Sequence, residues 1–152
     1  MSSLPPSVLQ VRSSAGLYGA DRMVLTLNRA LATQGVRSRL LSINNYRMRE
    51  QALHEVAMTQ AQDAALLPCQ GRFDLRTARA LTGQIERLPD AIVHVHDYKS
   101  AFYAWLATRR RRVPLVATLH GWVENSRSQR LYHRVEMALL RKFDALVVVA
   151  GD

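Results

Sequence analysis

The chain has 152 residues, 48% of them hydrophobic and 22% charged, as expected for one globular domain with its own core. Its net charge of +9, supplied almost entirely by arginine, favours anionic partners such as phosphates, nucleic acid or anionic lipid but indicates no fold. A single cysteine, Cys69, excludes an internal disulfide and suits a reducing cytoplasm, and no apolar run reaches the roughly 18 residues that span a bilayer.

Strand-like and helix-like segments alternate along the whole chain. This alternation predicts one doubly wound α/β domain over residues 1–152, with a mostly parallel, Rossmann-like sheet and helices on both faces. Hydrophobic periodicity predicts strands at 8–11, 36–43, 64–67, 91–95, 113–119 and 145–149, and helices at 20–34, 48–60, 75–88, 98–110 and 126–142.

Residue spacing also predicts which face of each helix is buried. In the first helix it leaves Asp21 and Asn28 outside the apolar face, and Asp21 in the first turn complements the helix dipole. The predicted buried stripes are Met23, Val24, Leu27, Ala30 and Leu31 in the first helix, Leu75, Ala78, Leu81, Ile85 and Leu88 in the third, and Leu131, Val135, Ala138 and Leu139 in the last.

Three histidines close two of the apolar strands. His94 and His96 lie at the end of the strand at 91–95, and His120 follows the strand at 113–119. The carboxyl ends of parallel strands meet at one edge of the sheet, where α/β proteins bind ligands. His94 and His96 alternate and therefore share a face, but no third ligand is evident, so we predict no metal site. His120 has two interpretations, a histidine bonded to backbone or one that faces a ligand.

Two further segments carry candidate binding residues. Gly16 and Gly19 lie between a strand and a helix start, where backbone N–H groups bind phosphate, although a plain turn fits as well. Arg12, at the end of the preceding strand, would add positive charge. Asp97 suits either a helix N-cap or a ligand contact, and Trp122 either stacks on a sugar or covers the edge of the core.

The run Arg109–Arg112 is the one block of like charge in the sequence. It closes the predicted fourth helix, where cations complement the helix dipole on a solvated face. The competing interpretation is contact with anionic lipid head groups.

Four stretches, taken in order, carry a family resemblance: GLYGADRMVLTLNRALATQGV at 16–36, DAIVHVHDYKS at 90–100, VPLVATLHGWVENS at 113–126 and RVEMALLRKFDALVVVAGD at 134–152. Together they resemble the N-terminal domain of retaining glycosyltransferases of the GT-B fold, in glycosyltransferase family 4. The chain departs from the family's pattern at Tyr18, where the family has glycine, at Asp21, where it has glutamate, and at Gly151, where it has serine.

The resemblance implies an enzyme of two Rossmann-like domains, of which the second carries most of the nucleotide-sugar site. Residues 1–152 would then be the acceptor-side domain of a truncated protein, inactive without its C-terminal domain. The implied reaction needs no cofactor and transfers sugar from a nucleotide-sugar donor to a sugar or lipid-linked acceptor. Its implied setting is cell-surface polysaccharide or lipopolysaccharide synthesis in the cytoplasm, with peripheral contact to the inner face of an anionic membrane.

The resemblance also implies roles for individual residues. His120 would contact the sugar and take part in catalysis, while His94 would be structural. Gly16, Gly19 and Arg12 would contact the donor diphosphate or a phosphorylated acceptor, and the implied acceptor contacts are His96, Asp97 and Trp122.

The alternative hypothesis is a non-enzymatic basic α/β module that binds nucleic acid or anionic membrane. The net charge motivates it. The basic residues are spread over many elements without interleaved aromatics, unlike a platform for single-stranded nucleic acid, and we therefore predict no nucleic-acid partner.

Overall fold

The computed structural model describes residues 4–45, 49–120 and 127–149, which form one parallel sheet with helices on both faces. The strands are β1 Ser7–Ser13, β2 Arg37–Ile43, β3 Ala64–Leu67, β4 Ala91–Val95, β5 Leu115–Leu119 and β6 Ala145–Val148. The helices are α1 Gly19–Thr33, α2 Ala52–Thr59, α3 Leu75–Arg87, α4 Tyr98–Thr108 and α5 Arg127–Leu140.

The strand order in the sheet is β3-β2-β1-β4-β5-β6, and every neighbouring pair is parallel. The direction of winding therefore reverses between β1 and β4. Connections that diverge at such a point leave a crevice at the carboxyl ends of the two strands. The predicted fold class, a doubly wound Rossmann-like α/β sheet, is confirmed.

Each predicted element is present, with small shifts at its ends. The fifth strand begins at Leu115 rather than residue 113, because Pro114 has no N–H to donate to a ladder. The second helix begins only at Ala52. Gly35 follows α1 with a φ of 81°, a left-handed conformation that favours glycine and ends the helix as predicted.

Two apolar clusters hold the layers together. The larger joins α3, α4 and the end of α5 to alternate residues of the central strands, including Leu9, Val11, Val93 and Val95. The smaller packs Val24 and Leu25 of α1 and two residues of α2 against Leu40 on β2. The remaining residues of β1, β4 and β5 face away from the larger cluster, and these carry the polar side chains described below.

The predicted inward face of α1 is partly wrong. Asp21 and Asn28 are buried, whereas Ala30 is exposed. Asn28 donates to Gln62 Oε1 at 2.8 Å and accepts from Ser38 Oγ at 2.6 Å. Partners on other elements satisfy both ends of its amide, so the side chain is buried without an unpaired polar atom.

The predicted stripe on α5 is also largely wrong. Leu131, Val135 and Ala138 are exposed, and Glu136 is buried in their place. The helix meets the core through Leu139 and Leu140, which turns its apolar residues outward and the carboxylate inward. Leu75 of α3, also predicted to be buried, is exposed as well.

Candidate functional site

A polar stripe runs across the carboxyl ends of the three central strands. Side chains two residues apart on a strand share a face, and each of these strands places a polar pair on the face opposite the larger cluster. The pairs are Gln10 and Arg12 on β1, His94 and His96 at the end of β4, and Thr118 and His120 at the end of β5.

The three imidazoles of the stripe lie in a row. The ring centroids of His94 and His96 are 4.2 Å apart, and those of His96 and His120 are 5.8 Å apart. His94 Nε2 lies 2.6 Å from Thr118 Oγ1, and His96 Nε2 lies 2.6 Å from Gln10 Oε1. His96 Nδ1 and His120 Nε2 are buried and have no hydrogen-bond partner in the described part of the protein, so each of these two rings keeps an unsatisfied nitrogen.

All three histidines are held in the neutral form. Burial lowers the pKa of His94 to about 4, with a smaller contribution from His120. Burial lowers the pKa of His96 further, assisted by the two neighbouring histidines and Arg12. Burial and the nearby Arg12 guanidinium also lower the pKa of His120. Each ring can therefore donate one hydrogen bond and accept another at neutral pH.

Arg12 fixes the loop that joins β1 to α1. Its Nε donates to Asp21 Oδ1 at 2.8 Å, and its terminal nitrogen donates to the His96 carbonyl at 2.7 Å. The other oxygen of Asp21 accepts from Ser14 Oγ and from the Tyr18 backbone N–H, each at 2.8 Å. The fully buried carboxylate therefore ties β1, the loop and the first turn of α1 together.

Asp97 caps α4, as one of its two sequence interpretations predicts. Its Oδ1 accepts from the backbone N–H of Ser100 at 3.0 Å, and its Oδ2 accepts from Ser100 Oγ at 2.6 Å. The same Oδ2 accepts from the Ser13 backbone N–H at 2.8 Å. The carboxylate thus joins the end of β1 to the start of α4.

An open cleft of about 310 Å³ lies over the stripe, lined by Arg12, His96, Asp97, Thr118 and His120 together with Glu136 of α5. Glu136 is only 8% exposed. Burial, reinforced by the negative charge of Asp97, raises its pKa to about 7. The cleft therefore combines neutral imidazoles, a paired guanidinium and a carboxyl group that carries a proton near neutral pH.

Residues 18–152 match the sequence model of Glycosyltransferase Family 4. The chain belongs to glycosyltransferase family 4. No curated protein sequence matches this family 4 chain.

Solved structures of other glycosyltransferases share the fold of this family 4 chain. HepE of Anabaena, solved in complex with UDP-glucose, superposes with a TM-score of 0.74 at 16% identity, over 96% of this chain and 37% of HepE. MurG of Acinetobacter baumannii superposes with a TM-score of 0.67 at 14% identity, over 97% of this chain and 42% of MurG. Sucrose-phosphate synthase of Thermosynechococcus elongatus superposes with a TM-score of 0.68 at 16% identity, over 96% of this chain and 42% of the synthase.

These comparisons confirm the resemblance to the N-terminal domain of GT-B glycosyltransferases. The family 4 chain spans about two fifths of the length of each of these solved structures. At such low identity the likeness shows the shared fold, and the chemistry of the cleft depends on this chain's own residues.

The structure brings together some of the predicted site residues of the family 4 domain. Arg12, His96, Asp97 and His120 line the same cleft. Gly19 begins α1, beside that cleft at Ala20, and Gly16 lies against the Tyr18 ring, where an added Cβ would come within 3.1 Å of ring carbons. Trp122 lies outside the described residues, as do Gly121, Glu124 and the helix cap predicted at Ser126.

Three cleft or stripe residues were missed as site residues from the sequence: Gln10, Thr118 and Glu136. Gln10 carried a signal, since a glutamine inside an apolar strand of a parallel sheet needs a buried partner. Thr118 and Glu136 also carried a signal, because they lie in the stretches 113–126 and 134–152 that resemble the family, as the threonine of its strand end and the glutamate of its helix. In the described residues, no group of three or more His, Cys, Asp or Glu side chains could hold a metal ion, and no helix is long and apolar enough to cross a membrane.

Proposed function

We propose that this domain is the acceptor side of a retaining glycosyltransferase that uses a nucleotide-sugar donor. The observation that carries the proposal is the pair of neutral histidines, His96 and His120, that line the cleft at the β1–β4 switch point, with His96 Nδ1 and His120 Nε2 lacking partners in the described structure. Sugar hydroxyls are hydrogen-bond donors and acceptors, and neutral imidazoles pair with both functions. Membership of glycosyltransferase family 4 favours this enzyme over a non-enzymatic binding module.

Each group of the cleft has a part in the proposed reaction. Retaining transfer develops positive charge on the sugar and negative charge on the leaving diphosphate, and both need fixed polar groups around them. His120 hydrogen-bonds the sugar and positions it, and His96 contacts the acceptor. Arg12, Gly16 and Gly19 remain the proposed residues of the phosphate side. Arg12 and the Tyr18 N–H already donate to Asp21, so Arg12 contributes its positive charge and fixes the loop between the two glycines. Asp97 and Trp122 remain proposed acceptor contacts.

The proposal assigns the donor-binding half of the site to a second domain. UDP-glucose is bound in the HepE structure, of which this chain matches 37%, and the proposed donor here is likewise a nucleotide-sugar. We propose that a C-terminal domain supplies that half, that residues 1–152 do not transfer sugar alone, and that the acceptor is a sugar or a lipid-linked sugar. Cell-surface polysaccharide or lipopolysaccharide synthesis, at the cytoplasmic face of a membrane, is the proposed setting.

Two assays test this proposal. The protein encoded by the reading frame continued past codon 152 is compared with the 152-residue chain, each incubated with UDP-, GDP- and ADP-sugars and a panel of acceptors. We expect release of nucleoside diphosphate and a product of retained anomeric configuration from the longer protein alone. Turnover by the 152-residue chain would contradict the split site, and an inverted product would contradict the retaining mechanism.

A further inference from the structure

A pair of tyrosine rings stands at the rim of the cleft. Tyr98 begins α4 and lines the cleft, and Tyr132 lies in α5. Their ring centroids are 6.0 Å apart, with an angle of 71° between the ring planes, which is an edge-to-face contact. Tyr132 is nevertheless 54% exposed. A ring that served only to pack α5 against α4 would be largely buried, so the exposed side of Tyr132 is open to a ligand.

The direction of α5 places Tyr132 outside the buried part of the cleft. Tyr132 and Glu136 are four residues apart and therefore share one face of the helix, and Glu136 lines the cleft. Because α5 connects the parallel strands β5 and β6, it begins at the carboxyl edge of the sheet and runs back along the strands. Tyr132 consequently lies one turn, about 6 Å, further out than Glu136.

The cleft itself has room for a small group. Its volume of about 310 Å³ is at the lower end of the range for ligand sites, about 300–1,000 Å³. The buried groups that line it include His96 and His120, whose unsatisfied ring nitrogens were described above, and Glu136, which is 8% exposed. A ligand longer than the group bound among these residues must continue over the rim, where the two tyrosines lie.

The chemistry of the rim suits a sugar ring. One face of a pyranose presents C–H groups that pack on an aromatic ring, while its hydroxyls point outward to polar partners and water. Tyrosine combines a rigid apolar ring with a hydroxyl group, and binding sites for small molecules join aromatic side chains to a few fixed polar groups. Tyr132 beside Tyr98 supplies the aromatic part, and the cleft below supplies the polar part.

We propose that Tyr98 and Tyr132 form a second sugar subsite at the rim of the cleft, so that the acceptor is an oligosaccharide of two or more sugars. The sugar that receives the transferred group occupies the cleft. The next sugar stacks on the exposed side of Tyr132, whose ring is held in place by Tyr98. This inference rests on the proposed function, and it narrows the acceptor of that function to one with at least two sugar rings.

Sugar binding to the 152-residue chain, followed by amide chemical shifts in NMR titrations, tests the subsite. The probes are glucose, mannose and N-acetylglucosamine, each compared with a disaccharide of two such units, namely maltose, mannobiose and diacetylchitobiose. We expect at least one disaccharide to bind about tenfold more tightly than its monosaccharide, as for one added aromatic contact. The shifts caused by that disaccharide should include the amides around Tyr132.

Three variants on α5 separate stacking from other effects. Tyr132→Leu keeps an apolar side chain but removes the ring, and it should lower the affinity for the disaccharide about tenfold, to that of the monosaccharide. Tyr132→Phe keeps the ring and should preserve the advantage of the disaccharide. The matched control Leu131→Ala changes the neighbouring residue, which is 65% exposed, and should preserve that advantage as well. Circular dichroism verifies that each variant folds.

Several results would overturn the subsite. One is equal affinity of the wild type for each disaccharide and its monosaccharide, including binding of neither. Others are an advantage of the disaccharide that survives in Tyr132→Leu, or one that is lost in Leu131→Ala. The measurement requires no sugar transfer, so it is separate from the test of the proposed function. An advantage that depends on Tyr132, in a protein whose longer form transfers no sugar, would support the subsite and contradict the proposed function. Transfer without such an advantage would do the reverse.

Discussion

Arg12 and Asp21 form an ion pair, with Nε 2.8 Å from Oδ1, in which the carboxylate is completely buried and the guanidinium is 13% exposed. The pair connects the end of β1 to the first turn of α1. Because Arg12 also donates to the carbonyl of His96, it links the loop between β1 and α1 to the end of β4, where His94 and His96 lie.

Replacing Asp21 by Asn should destabilise the domain. The change removes the nearer of the two carboxylates that face a largely buried guanidinium, the other being Asp97 at 4.0 Å. Breaking a buried ion pair costs on the order of 3–5 kcal/mol, and the remaining charge of Asp97 makes that figure an upper bound here. The free energy of unfolding from urea denaturation measures the loss. Asp63→Asn is the matched control, since Asp63 pairs with Arg39 but is 56% exposed, and an exposed pair contributes less than about 1 kcal/mol. Similar losses in the two variants would contradict the structural role of Asp21.

The sequence was sufficient to predict the elements and the edge of the sheet where the polar residues gather. Apolar runs bounded by Pro89 and by histidines predict short buried strands, and parallel strands necessarily bring their carboxyl ends together. The placement of His96 and His120 in one cleft follows from that topology and does not require knowledge of packing.

Burial of polar residues on helices could not be predicted in the same way. Hydrophobicity alone predicts that Asp21 and Asn28 are exposed. Both are buried, because residues of other elements, such as Arg12 and Gln62, hydrogen-bond their polar atoms. Glu136 is the extreme case. Among the described residues, α5 joins the larger apolar cluster through Leu139 and Leu140 near its end, and Glu136 faces the cleft rather than that cluster. Such pairings depend on tertiary contacts that periodicity does not report.

The histidine row should make the domain sensitive to acid. The native pKa values of His94, His96 and His120 are lowered, so the unfolded chain binds more protons just below pH 6.5 and its population grows as pH falls. Stability is then fully present above about pH 6.5 and declines towards pH 4, by up to about 1.4 kcal/mol per pH unit for each of His94 and His96. His120 acts in the same direction.

Urea denaturation between pH 4 and pH 8 measures this slope. The variant His94→Gln should flatten it, whereas His54→Gln on α2 leaves the row intact and should preserve it. Equal slopes in wild type and His94→Gln would contradict the burial of neutral histidines.

Glu136 should act in the opposite direction. Its native pKa is raised to about 7, so its contribution to stability is present below about pH 4.5 and is lost as pH rises through 7. Glu136→Gln mimics the protonated form and should stabilise the domain at pH 8 by about 1–2 kcal/mol, a figure reduced for the water that enters an open cleft. At pH 4.5 the variant and the wild type should be equally stable, and a loss of stability at pH 8 would contradict this account.

The pH profile of sugar transfer should report the neutral state of His120. Burial and Arg12 lower its pKa, so the imidazole remains uncharged down through pH 6.5 and activity should fall only below that value. The variant His120→Gln keeps a hydrogen-bonding group but does not titrate. It should transfer sugar more slowly than wild type, and its pH profile should lack the acid limb assigned to His120. An acid limb unchanged in that variant would assign it to another group.

Loss of transfer on removal of the His120 side chain is the most direct test of the proposed site. In the proposed two-domain protein, kcat/KM is measured from release of nucleoside diphosphate for wild type, His120→Ala and the control His54→Ala. We predict that His120→Ala lowers kcat/KM about 10²–10³-fold, as for loss of a hydrogen bond that stabilises a transition state, while His54→Ala stays within about twofold of wild type. Wild-type kcat/KM in a folded His120→Ala protein would contradict the assignment of this cleft as the site of glycosyl transfer.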